Sequence, residues 1–124
     1  MVAMFLQMLN TTKLYHWKTK SFAQHKATDE LYSNLNSTID KYVEVMLGKT
    51  DGKRINLTNM KTLPLLACND VNCFKKEIEI YKNYLIGLVS VLDSNKDTDL
   101  LNIKDEMLGH LNQFTYLLSF NTTF

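Results

Sequence analysis

One stretch of the sequence places histidine and carboxylate side chains at helical spacing. His25 is followed by Asp29 four residues later, and Asp40 is followed by Glu44 at the same interval. Residues four apart are neighbours on the surface of a helix, so each pair presents two side chains to one point. Imidazole and carboxylate groups together suit Fe(II), and they also accept Zn, Mn or Co. The two pairs therefore predict a metal site.

The distance between the two pairs decides how such a site is built. Eleven residues separate Asp29 from Asp40, a rotation of about 20° at 100° per residue, so both pairs share one helix face. The same separation is about 16 Å of rise, too far for one ion to touch both pairs of one chain. If two copies pack antiparallel across a two-fold axis near Leu35, each His25–Asp29 pair meets the other chain's carboxylate pair. The spacing predicts two equivalent sites per homodimer, with His16 completing the histidine half.

Each of these residues also has an ordinary structural interpretation. Carboxylates are common on the exposed face of a long helix, and His25 with Asp29 fits a surface pair that stabilises a helix slightly. His16 beside Trp17 is typical of a histidine packed at an interface. The metal interpretation is favoured because both pairs, the preceding His-Trp dipeptide and a helical pattern occur together.

Four amphipathic helices must position these side chains, since apolar residues recur at intervals of three and four along most of the chain. Helix A ends near Lys20, and helix B runs from a capping box at Ser21 and Gln24 to Gly48. The predicted core stripes are Val2, Phe5, Leu9 and His16 in helix A; Leu31, Leu35, Ile39, Val43 and Met46 in helix B; Phe74, Ile78, Tyr81, Leu85, Leu88 and Leu92 in helix C; and Leu100, Ile103, Met107, His110, Phe114 and Leu117 in helix D.

The connections between the helices predict the topology. A polar turn from Asp93 to Thr98 joins helices C and D, whereas residues from about 50 to 72 form a long crossover between helices B and C. Two hairpins joined by one crossover predict an all-α, ferritin-like four-helix bundle. We expect a single domain over residues 1–124.

Composition and charge exclude several other classes of protein. The chain has 124 residues and a net charge of +1 without a basic arm, so nucleic-acid binding through a basic tail is not expected. No apolar run approaches the roughly 18–20 residues of a membrane span. The apolar start lacks a basic leader and a small-residue cleavage site, which predicts a cytoplasmic protein. In that setting Cys68 and Cys73 are expected to be reduced thiols, with a disulfide between them as the alternative.

Residues 14–48 resemble the signature of Dps, the DNA-protection proteins of the ferritin superfamily. The resemblance rests on His16, Trp17, Phe22, His25, Asp29, Tyr32, Asp40 and Glu44. The family pattern is His-Trp, then His-x3-Asp-x2-Tyr, then Asp-x3-Glu beginning eleven residues after the first Asp. The segment from His16 to Lys26 also resembles short ferritin-like proteins of large DNA viruses and phages, which makes a virion a second expected location.

The resemblance implies a site and an activity. Ligands to a pair of iron ions, for which Zn or Mn can substitute, would be His16, His25 and Asp29 of one subunit and Asp40 and Glu44 of its two-fold mate. Trp17 would take up oxidising equivalents beside the iron. The implied activity is oxidation of Fe(II) by peroxide or oxygen, with iron sequestration and oxidative protection in a twelve-subunit shell. The alternative is a non-catalytic structural or virion-associated bundle.

Three features depart from the patterns of these families. Dps proteins place the two histidines twelve apart, whereas His16 and His25 are nine apart, which shortens the turn between helices A and B. Helix A is expected to start almost at Met1, so we do not expect the Lys-rich arm with which many members bind DNA. The Glu-x-x-His motif of conventional ferritin sites is absent, because Glu106 and His110 are four apart. His110 lies on the apolar stripe of helix D and is expected to be a core histidine rather than a ligand.

Overall fold

Amphipathic spacing of the apolar residues gives four α-helices in the computed structural model, which describes residues 1–55 and 62–120. The helices are α1 (Val2–Lys18), α2 (Phe22–Lys49), α3 (Val71–Gly87) and α4 (Thr98–Leu118), and a 3₁₀ turn (Leu88–Ser90) follows α3. No strand occurs in the described residues. The predicted all-α class and the four helices are thus confirmed, with α2 the longest at 28 residues.

The apolar stripes of all four helices meet in one core. Helix α2 packs against both α1 and α4, and α4 also packs against α3. Among the described residues, the most deeply buried apolar side chains are Phe5, Met8, Leu35, Tyr42, Phe74, Ile78, Tyr81, Leu85, Met107 and Leu111. Because helical stability comes mainly from burying such a face, this core fixes which sides of α1 and α2 remain exposed.

Two predicted core positions are replaced by a neighbour. In α2 the buried residue is Tyr42 rather than Val43, and its ring packs edge-on against Phe5 with centroids 5.1 Å apart. In α4 the stripe passes through Leu111, so the prediction that His110 is a core histidine is wrong and its imidazole is half-buried. Burying the apolar side chain of Leu111 costs less desolvation free energy than burying the adjacent imidazole of His110. Helix α4 is therefore oriented with Leu111 toward the core.

The capping box predicted at the start of α2 is only half formed. The Ser21 hydroxyl accepts a hydrogen bond from the Gln24 N–H at 3.2 Å, which is the predicted cap. The Gln24 side chain does not return to Ser21, because its Oε1 accepts from the hydroxyls of Tyr15 and Thr19, each at 2.8 Å. Helix α1 ends at Lys18, two residues before the predicted end, where Thr19 becomes extended.

The crossover between α2 and α3 ends in a disulfide. Cys68 and Cys73 are bonded, with Cα atoms 5.4 Å apart, so the expectation of two reduced thiols is wrong. Cys68 is fully buried against the core and Cys73 lies in the first turn of α3. Asp70 begins that helix by accepting a hydrogen bond from the Cys73 N–H at 2.8 Å, and the tight entry brings the two sulfurs together.

None of the helices within residues 1–55 and 62–120 combines the length and the apolar character that a membrane crossing requires.

Candidate metal centre

The turn between α1 and α2 brings the two predicted histidine ligands together. Only residues 19–21 separate the helices, and the Thr19 N–H still donates to the Tyr15 carbonyl at 2.9 Å. The chain therefore reverses at once, and the rings of His16 and His25 stack with centroids 3.8 Å apart and planes 18° apart. A spacing of nine residues is therefore enough to place the two imidazoles side by side.

Reciprocal hydrogen bonds fix the orientation of both histidine rings. Nδ1 of His16 lies 2.8 Å from the carbonyl oxygen of His25, and Nδ1 of His25 lies 2.9 Å from that of His16. A carbonyl oxygen only accepts, so each Nδ1 must carry a hydrogen and donate it. The Thr28 hydroxyl, 3.0 Å from the His16 Nδ1, is a second acceptor because its own hydrogen goes to the Gln24 carbonyl.

This bonding leaves both Nε2 atoms as electron-pair donors when the rings are neutral. Among the described residues no hydrogen bond to either Nε2 is found. Histidine ligands in metalloproteins usually have this arrangement, with one ring nitrogen donating to a carbonyl and the other bound to the metal. His16 is 7% exposed whereas His25 is exposed, so the stacked pair opens to solvent on the His25 side. Imidazole nitrogens of this kind are donors that transition-metal ions accept.

The two predicted carboxylate ligands also lie together. Asp40 and Glu44 are both exposed on α2. A hydrogen bond to Asp40, and then the negative charge of Asp40, raise the pKa of the Glu44 carboxyl above its ordinary value of 4.5. The pair thus holds a proton more readily than two separate carboxylates, and a cation placed between them would offset the same repulsion.

Within one chain these two pairs remain separate. In residues 1–55 and 62–120 no group of three or more His, Cys, Asp and Glu side chains is arranged to hold a metal ion. Asp29 is exposed on α2 but does not join the two histidines in such a group. The chain therefore presents two incomplete sets of ligands along one helix.

Trp17 follows His16 in α1 and lies at the surface, 66% exposed. The Lys13 ammonium nitrogen lies 5.5 Å from the centre of the Trp17 ring and 4.6 Å from the centre of the Tyr32 ring. Sequence reasoning did not single out Lys13. Its position four residues before Trp17 was the available signal, because i,i+4 residues share a helix face.

An apolar groove of about 260 Å³ lies beside Asp40, between α1 and α2. It is lined by Val2, Phe5, Leu6, Leu9, Asn36, Ile39, Asp40, Val43 and Ile55. Leu6 and Ile55 are each 39% exposed there. The carboxylate pair thus borders an uncovered apolar surface, whereas the stacked histidines lie at the opposite end of the same helix pair.

The fold and the side-chain pairs define a class: an all-helical protein whose longest helix presents exposed histidine and carboxylate groups along one face. The chain belongs to a family of unknown function, DUF5856, whose model matches residues 16–118. No curated protein and no solved structure matches the chain.

Proposed function

We propose that this protein is a Dps-like iron protein that binds Fe(II) between two subunits and oxidises it with peroxide or oxygen. The observation that carries the proposal is the reciprocal bonding of His16 and His25, which directs both Nδ1–H groups to carbonyls and leaves both Nε2 atoms for a metal. Iron is the substrate, and its oxidised form is the material that is sequestered.

The placement of the two pairs supports a site shared between chains. Two copies of α2 packed antiparallel, with the axis level with Leu35, would bring the histidine end of one chain to the carboxylate end of the other. Leu35 itself is buried in its own core, so contact at the axis would fall to exposed neighbours such as Asn36 and Ser37. The apolar groove beside Asp40 would also be covered in such a dimer.

Each side chain has a role in the proposed reaction. His16, His25 and Asp29 of one chain would ligate Fe(II), and Asp40 and Glu44 of the second chain would complete the pair of ion sites. Each Fe(II) gives one electron to the oxidant, and the carboxylates offset the increase in iron charge. Exposed Trp17, next to His16 in the chain, would supply a further electron. Zn or Mn would compete for the same ligands.

The proposal extends to the assembly and the cellular role. The four helices with one long connection between α2 and α3 would be a ferritin-like bundle, and dimers would associate further into a twelve-subunit shell. Storage of oxidised iron and consumption of peroxide would protect against oxidative stress. A structural or virion-associated bundle without catalysis is the alternative that the following experiment separates.

Mixing two inactive variants tests the shared site. His25→Ala and Glu44→Ala should each abolish iron oxidation, because every site needs one group from each chain. In a mixed dimer one site carries both lesions and the other is intact. With random exchange about half of the dimers are mixed, so about a quarter of the wild-type sites should return. Fe(III) formation after subunit exchange measures the recovery.

Glu30→Ala is the matched control, since Glu30 is another exposed carboxylate of α2 but lines a recess with His110 against α4. It should oxidise iron as the wild type does. Verified exchange without recovery would reject a site shared between chains. Equal iron oxidation by the wild type and both single variants would reject the proposed activity and leave the structural alternative.

A further inference from the structure

One cation lies against two oxidisable rings on the α1–α2 hairpin. The Lys13 ammonium nitrogen is 5.5 Å from the centre of the Trp17 ring and 4.6 Å from that of Tyr32, distances at which a cation is attracted to an aromatic face. The two ring centres are therefore no more than about 10 Å apart. Trp17 comes from α1 and Tyr32 from α2, so Lys13 bridges the hairpin.

The cation acts differently on the oxidised forms of the two rings. Loss of one electron from an indole first leaves a positive radical, and a neighbouring ammonium repels that charge. A phenol that loses an electron also releases its proton to water and becomes a neutral radical. The ammonium therefore opposes oxidation of Trp17 more strongly than oxidation of Tyr32.

We infer that Lys13 is a positioning residue that makes Tyr32, rather than Trp17, the side chain on which an oxidising equivalent comes to rest. This inference rests on the proposed function for the source of that equivalent. In this scheme Trp17 is oxidised first, and the Trp17 radical then takes an electron from Tyr32.

Two tyrosines of the hydrophobic core, Tyr42 and Tyr81, are poorer sites for the tyrosyl radical. Tyr42 and Tyr81 are fully buried, and their hydroxyls have no hydrogen-bond partner among the described residues. Burial raises the pKa of each phenol to about 12, because the interior disfavours the charged form. A phenol without an acceptor cannot release its proton on oxidation, whereas Tyr32 is only half-buried.

The step balances with peroxide as the oxidant. Hydrogen peroxide takes two electrons and two protons to give two waters. One Fe(II) supplies an electron and becomes Fe(III), and Tyr32 supplies the second electron together with its phenolic proton. One proton from solvent completes the two waters, so a site with a single Fe(II) bound need not release a hydroxyl radical.

Pulse radiolysis of the iron-free protein tests the inference without requiring iron chemistry. Azide radicals generate the indolyl radical on Trp17, the single tryptophan, and its absorption is distinguished from that of a tyrosyl radical. In the wild type we expect the indolyl signal to convert into a tyrosyl signal at a rate independent of protein concentration. Tyr32→Phe should slow this conversion by about tenfold or more.

Three lysine variants separate the charge from the mere presence of a side chain. Lys13→Met should leave the radical on Trp17 longer and slow its conversion several-fold, whereas Lys13→Arg should retain the wild-type rate. Lys26→Met is the matched control, since Lys26 lies 5.5 Å from the Phe22 ring, which is not readily oxidised. It should leave the conversion unchanged.

Unchanged conversion in Tyr32→Phe, or wild-type behaviour of Lys13→Met, would overturn the inference. Failure of iron oxidation would instead show only in the assay of Fe(III) formation, so the two failures are distinguishable.

Discussion

At the residue scale, the Asp40–Glu44 pair should make both stability and iron binding depend on pH. Because Asp40 raises the Glu44 pKa above 4.5, the Glu44 carboxyl holds its proton more firmly in the folded chain than in the unfolded chain just above that pH. The free energy of unfolding should therefore fall as the pH rises through the raised pKa. Fe(II) must displace the held proton, so its affinity should increase over the same range.

Urea unfolding of the iron-free protein at a series of pH values measures this dependence. Glu44→Gln removes the paired carboxyl, so it should flatten the fall in stability above pH 4.5. Glu30→Gln removes an exposed carboxyl elsewhere on α2 and should keep the fall. A wild-type slope in Glu44→Gln would mean that the two carboxyls do not share a proton.

At the element scale, the start of α3 is held by the Cys68–Cys73 disulfide. Replacing both cysteines by serine should lower the free energy of unfolding by roughly 2 kcal/mol, because a short closed loop no longer restricts the unfolded chain. Iron oxidation should persist, since this entry to α3 contributes no proposed ligand. Thermal or urea unfolding and Fe(III) formation measure the two effects, with Ser94→Ala, in the polar turn before α4, as the control.

Loss of iron oxidation in a folded double-serine protein would place the chemistry elsewhere than on α2. Unchanged stability, with the thiols of the wild type found free by titration, would show that the bond does not form in solution.

At the scale of the whole molecule, the α1–α2 groove should control assembly. Leu6 lines the groove beside Asp40 and is 39% exposed. In the proposed dimer a charge there would be buried without a partner, so Leu6→Asp should release chains of 14.4 kDa. Because no site can then be completed, iron oxidation should disappear as well. Light scattering measures the mass.

Ile86→Asp provides the matched comparison, because Ile86 is an exposed apolar residue of α3, away from that groove. It should keep the wild-type mass and activity. Iron oxidation by a monomeric Leu6→Asp protein would contradict the shared site.

Much of the helical layout could be predicted from local sequence rules. The Ser21 cap, the polar turn at residues 93–98 and the periodic apolar residues gave the four helices to within a few residues. The exact stripe could not be predicted at Tyr42 and Leu111, because adjacent apolar or aromatic residues compete for the same core space. That competition is decided by the side chains of the facing helix, such as Phe5.

The sequence by itself determined the spacing of His25, Asp29, Asp40 and Glu44 along one face, because a regular helix converts residue numbers directly into angle and rise. Only the tertiary structure decided that His16 stacks on His25, that both Nδ1 atoms donate to carbonyls, and that Lys13 lies between two rings. Those contacts join α1 to α2. They depend on how sharply residues 19–21 reverse the chain and how the two helices pack, which no single-helix pattern encodes.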